Sequence, residues 1–115
     1  MKRYSVIRNY KKFKREYPYF IVFITCKDYY YTSDSDAKIM MFIFESHREE
    51  VSFRIEKDKF TYVLKILLSH GLNVVLAGWK NSREYYSEKP NDYLKIKKKS
   101  KEQYHERQIS TTQEC

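Results

Sequence analysis

Three consecutive tyrosines, Tyr29-Tyr30-Tyr31, follow Lys27-Asp28 at the end of an apolar run. A corner of this kind offers aromatic faces, on which a nucleic-acid base can stack, beside a cation. The same tyrosines could equally pack across neighbouring strands of a sheet. A second group with chemical potential is basic. Lys11, Lys12, Lys14 and Arg15 come early, and Lys95 and Lys97 to Lys99 come late. Together they could form a rim that contacts phosphates, which gives salt-dependent, sequence-independent affinity; a solvated helix face and a tail account for them as well.

Catalysis finds little footing. His47, His70 and His105 are isolated, and no Cys/His spacing fits zinc. With only Gly71 and Gly78, no glycine-rich phosphate loop can form, which excludes nucleotide hydrolysis. Asp28, Asp34 and Asp36 are close in sequence, as a metal-dependent nuclease would require. At a helix start, however, such acids serve as caps. The expectation is a protein that is not an enzyme and needs no metal or small-molecule cofactor.

Charge separates along the chain. Of a net charge of +8, residues 1–17 carry seven basic and one acidic residue, and residues 80–115 carry nine and six. Residues 18–79, with seven and eight, are nearly neutral. A neutral centre with basic ends favours an anionic partner such as DNA. Cys26 and Cys115 are too few for a disulfide framework, and no apolar stretch reaches the ~18 residues of a membrane span. These features point to a cytoplasmic protein with no membrane partner.

The positioning elements follow from periodicity. Ser5 is placed to cap a helix over 5–16, in which Val6, Tyr10, Phe13 and Tyr17 share a face and Arg8, Lys11, Lys12 and Arg15 fall opposite. Pro18 stops it. Tyr19 to Cys26 reads as a strand buried on both faces. A second helix begins near Asp34 or Ser35, with Ala37, Met40, Met41 and Phe44 inward. Val51 to Ile55 alternates like a half-exposed strand. Phe60, Val63, Leu64, Leu67 and Leu68 define a third helix, capped by Asp58 and ended at Gly71; Leu64 and Leu67 should be fully buried. Asn73 to Ala77 is a buried strand ending at Trp79, which should plug the core. Residues 81–90 read as turns, 93–97 as an edge strand and 100–115 as a polar, flexible tail. The resulting fold class is α/β: a mixed central β-sheet flanked by three helices in one domain, residues 1–99.

Tyr17-Pro18, the apolar Ile21 to Ile24, Lys27 to Tyr31 and Asp36-Ala37-Lys38 fall in the order, and without a gap, of a known pattern. The segment resembles the amino-terminal, mismatch-binding domain of the MutS DNA mismatch repair family. There a first helix ends in Tyr-Pro or His-Pro, followed by a strand, a Gly-Asp-Phe-Tyr-Glu corner and an Asp-Ala-Lys helix start. The helix through His70-Gly71 and the strand Asn73 to Ala77 extend the likeness to about residues 4–79. The connection between the second and third helices is shorter here, and the family's Gly-Val-Pro turn is absent. The resemblance implies a stand-alone DNA-binding module without the clamp, lever and ATPase domains. It places Tyr29 where the family's Phe wedges against a mispaired base, Tyr31 where a Glu bonds that base, and Lys27 where the family has Gly. A phenol cannot replace a carboxylate's charge, so weak and largely sequence-independent binding is expected. The alternative is a protein-interaction or accessory module that keeps the fold without mismatch recognition.

Overall fold

In the computed structural model, residues 6–44, 52–78 and 81–103 are described. The helix α1 (Val6–Glu16) leads through Tyr17-Pro18 into β1 (Phe20–Cys26), which turns tightly at Lys27-Asp28 into β2 (Tyr29–Ser33). Then come α2 (Asp34–Ile43), β3 (Ser52–Glu56), a single 3-10 turn at Lys57–Lys59, α3 (Phe60–Ser69), β4 (Asn73–Ala77), β5 (Ser82–Tyr85) and α4 (Tyr93–Gln103). The five strands form one sheet in the order β3-β2-β1-β4-β5. It is mixed: β1 and β4 run parallel from Phe20↔Asn73 to Ile24↔Ala77, and the other neighbours pair antiparallel.

Both faces of the sheet are covered, and this explains the unbroken apolar run of β1. Val22, Ile24 and Cys26 face α1 with Val75 and Ala77, against Val6 and Tyr10. Ile21, Phe23 and Val74 face the other layer, formed by Ile39 and Met40 of α2, Phe60, Val63 and Leu67 of α3, and Tyr93 and Ile96 of α4. Gly71 ends α3 at φ 77°, where a Cβ would lie 2.6 Å from the Pro90 carbonyl oxygen; its own carbonyl accepts the Asp92 N–H at 2.9 Å. The close approach fixes the end of α3 to the start of α4.

Among the described residues four helices, not three, flank the sheet. Residues 93–97 belong to α4 rather than to an edge strand, since Tyr93, Ile96 and Ser100 recur on one buried helical face. That helix runs to Gln103 and buries Ser100. β5 occupies a stretch read as turns. Leu64 is half-buried at the flank of the α3 stripe, whereas Leu67 is wholly buried. Asp58 lies in the 3-10 turn, and Lys59 takes the cap position of α3. Ser5, Trp79 and the tail beyond residue 103 lie outside the described residues. Among the described residues there is no free cysteine, and no helix is long and apolar enough to cross a membrane.

Leu67 sits at the centre of the larger core cluster, and Leu67→Ala should cost about 3 kcal/mol. Urea denaturation measures this; an unchanged midpoint would contradict the packing of α3.

Candidate functional site

The β1–β2 ladder runs only from Cys26↔Tyr29 to Ile24↔Tyr31. Beyond it, β2 pairs with β3 alone, and the chain turns at Asp34, φ 50°, into α2. Among the described residues, the first half of β1 therefore has no strand on that side. Asp36, in the first turn of α2, fills the place. Its Oδ2 accepts the Val22 N–H at 3.1 Å, as a neighbouring strand's carbonyl would.

Through this gap the two helical layers meet. Tyr10 of α1 donates to Asp36 Oδ2 at 2.8 Å, and Tyr93 of α4 donates to Oδ1 at 2.6 Å. Lys14 Nζ lies 3.0 Å from Oδ1, 4.2 Å from the centroid of the Tyr93 ring, and donates to the Phe20 carbonyl. Asp36 has no exposed surface, and the Lys14 side chain retains 20%. Burial raises both phenol pKa values far above their ordinary range, and the Asp36 charge and hydrogen bonds raise them further. Burial lowers the Lys14 pKa; Asp36 opposes that shift and the Lys97 cation adds to it. Asp36 thus acts as a keystone rather than a helix cap: α2 receives no side-chain cap from Ser33, whose hydroxyl donates to Asp34.

Above this network opens a cavity of about 540 Å³ lined by Tyr10, Lys11, Lys14, Arg15, Asp34, Ser35 and Lys97. Lys11, Lys14 and Arg15 reach it from α1, and Lys97 comes from α4. Four cations face one rim carboxylate, Asp34. Lys11, Arg15 and Lys97 have no carboxylate partner among the described residues. The arrangement suits a multiply charged anion.

Residues singled out from the sequence separate into two groups. Lys11, Arg15 and Lys97 converge on this cavity, and Lys95 lines a neighbouring one with Tyr19, Asn91, Asp92, Tyr93 and Leu94. Lys12 is exposed, but helical spacing turns it away from the Tyr10 side of α1. Lys27, Tyr29 and Tyr31 lie at the opposite end of β1. There Tyr31 is buried, and Tyr29 is half-buried against it, ring centroids 6.1 Å apart, under the Arg54 guanidinium at 4.4 Å. Tyr30 points to the other face, 4.9 Å from the Phe60 ring. Strand alternation splits the triplet, so it forms no common exposed platform, and the exposed, unsupported ring that a wedge needs is not present at Tyr29. Asp28, Glu56 and Asp58 share a cavity with Tyr29 and Lys57, an arrangement that repels phosphate.

Asp36 and Tyr93 were not legible as site residues. An Asp at a helix start reads as a cap, and nothing local marks its two tyrosine partners. Comparison with known proteins found no matching family model and no curated protein with significant similarity.

Proposed function

We propose that this chain is a DNA-binding module related to the amino-terminal mismatch-binding domain of MutS, holding DNA weakly and largely without regard to sequence. The observation that carries the reading is the convergence of Lys11, Lys14, Arg15 and Lys97 from two helices on one cavity. Phosphate contacts of that kind position a duplex and carry no sequence information. The order helix, strand, tight corner, strand, helix supports the relationship. So does Lys27, whose φ of 54° is the left-handed conformation to which the family's Gly is suited. DNA is held at the Lys-Arg cavity, and the Tyr29 corner, acidic and packed, contributes no mismatch preference.

Duplex affinity is expected on the order of micromolar to 100 micromolar at low salt, falling steeply as salt rises. Arg15→Glu should weaken matched and mismatched duplexes alike, by roughly tenfold, while Lys12→Glu, on the other side of α1, should do much less. Fluorescence anisotropy with labelled duplexes measures both. No detectable binding at low salt would overturn the DNA reading in favour of a protein-interaction module.

A further inference from the structure

Tyr93 connects two cavities, since it lines one and touches Lys14 of the other. Lys14 Nζ lies 4.2 Å from its ring centroid, and its hydroxyl is fixed on Asp36. The Tyr19 ring stands edge-on to it, centroids 6.4 Å apart at 67°. Tyr19 and Leu94 are strongly exposed, 52% and 62%, and with Tyr93, Asn91, Asp92 and Lys95 they line a cavity of about 420 Å³. The side chain of Asn91 holds this wall: Nδ2 donates to the Tyr19 carbonyl at 3.4 Å, and Oδ1 accepts the Tyr93 N–H at 2.9 Å.

The two cavities differ in chemistry. The first is strongly cationic. The second is aromatic and aliphatic, its one cation balanced by Asp92. A ligand that satisfies both needs an anionic group joined to a flat apolar ring bearing hydrogen-bond donors and acceptors. We propose that the pair of cavities binds an unpaired nucleic-acid strand, with a backbone phosphate among Lys11, Lys14, Arg15 and Lys97 and the adjoining base against Tyr19 and Leu94. A duplex can bring its phosphates to the first cavity, but its bases are stacked inward and out of reach of Tyr19. Unpaired bases stack on exposed aromatic rings irrespective of sequence, and a nearby basic groove follows the backbone. The inference rests on the DNA-binding reading and adds to it a preferred form of substrate and a second set of contacts.

The test is anisotropy with the full chain and labelled 12-mers of four kinds: oligo-dT, a duplex, an abasic sugar-phosphate strand, and oligo-U to compare RNA with DNA. The expected result is that oligo-dT binds about tenfold more tightly than the duplex or the abasic strand, and that Tyr19→Ala removes this advantage. Because the Tyr19 ring is largely exposed, the variant should fold, and its unchanged duplex affinity verifies that. Oligo-U binding as tightly as oligo-dT would support a site for any unpaired strand, and oligo-dT alone would support one for DNA. Equal affinity for oligo-dT and the abasic strand would overturn the base contact, and so would an unselective loss in Tyr19→Ala; salt-dependent duplex binding would then leave the broader reading standing. Failure of all four probes to bind would overturn both.

Discussion

Asp36→Ala is expected to destabilise the domain by roughly 3–5 kcal/mol, the scale of breaking a buried ion pair from one side. The carboxylate receives four donors: the hydroxyls of Tyr10 and Tyr93, the Val22 N–H and Lys14 Nζ. Removing it leaves a largely buried ammonium without its counter-charge and three buried donors without an acceptor. Each unsatisfied donor alone costs about 1–3 kcal/mol, although the side chains would relax in part. Lys14→Met should cost less. It removes the poorly solvated cation, and the carboxylate keeps two phenols and a backbone amide. Because a domain of this size is stable by only about 5–15 kcal/mol, Asp36→Ala should shift the urea midpoint far and populate unfolded chain at moderate temperature. A change below about 1 kcal/mol would mean that the polar network is solvated and does not join the two layers.

The same residue shows why some of the fold was legible in the sequence and some was not. Helix α3 and strands β1 and β4 bury stripes or runs whose period is visible within a few residues, and they lie where that period puts them. Asp36 is defined by Tyr10 and Tyr93, 26 and 57 positions away, and short-range patterns carry no trace of such partners. The segment Tyr93-Leu94-Lys95-Ile96-Lys97 alternates closely enough to read as a strand. Extended to Ser100 it places buried residues at i, i+3 and i+7, and the helical period prevails. β5 gave no signal because Ser82-Arg83-Glu84 is exposed, its place set by backbone pairing with β4 rather than by an apolar face. The tyrosine triplet contained its own correction. A period of two sends Tyr29 and Tyr31 to one face and Tyr30 to the other, so three neighbours in sequence could not present one surface. The basic residues were identifiable as a group, yet which of them converge depended on α4 being a helix that brings Lys97 to α1.

Alkaline pH should unfold the protein more steeply than its surface groups alone would, because Tyr10 and Tyr93 are held protonated in the native state. Their folded pKa values are raised above the free phenol's, first by burial and then by the Asp36 charge. The stability they contribute is therefore fully present below about pH 10 and lost as the pH rises past it, where the unfolded chain ionises and the folded one does not. Each such phenol changes stability by about 1.4 kcal/mol per pH unit, so the pair gives a slope of about 2.7 kcal/mol per unit. Lys14 acts with the opposite sign in a lower window. Its folded pKa is depressed, so between that value and the unfolded one near 10.5 the unfolded chain holds the extra proton, and stability rises with pH. Above that window Lys14 is deprotonated in both states and no longer offsets the tyrosines. Stability should climb gently toward pH 10 and then fall sharply. Tyr10→Phe supplies the decisive comparison: it removes one of the two phenols, so its alkaline slope should drop to about 1.4 kcal/mol per unit even though its stability at neutral pH is also lower. Urea midpoints from pH 8 to 12 for both proteins give the two slopes. If they are parallel, the Tyr10 proton is not held by folding, and Asp36 does not grip α1.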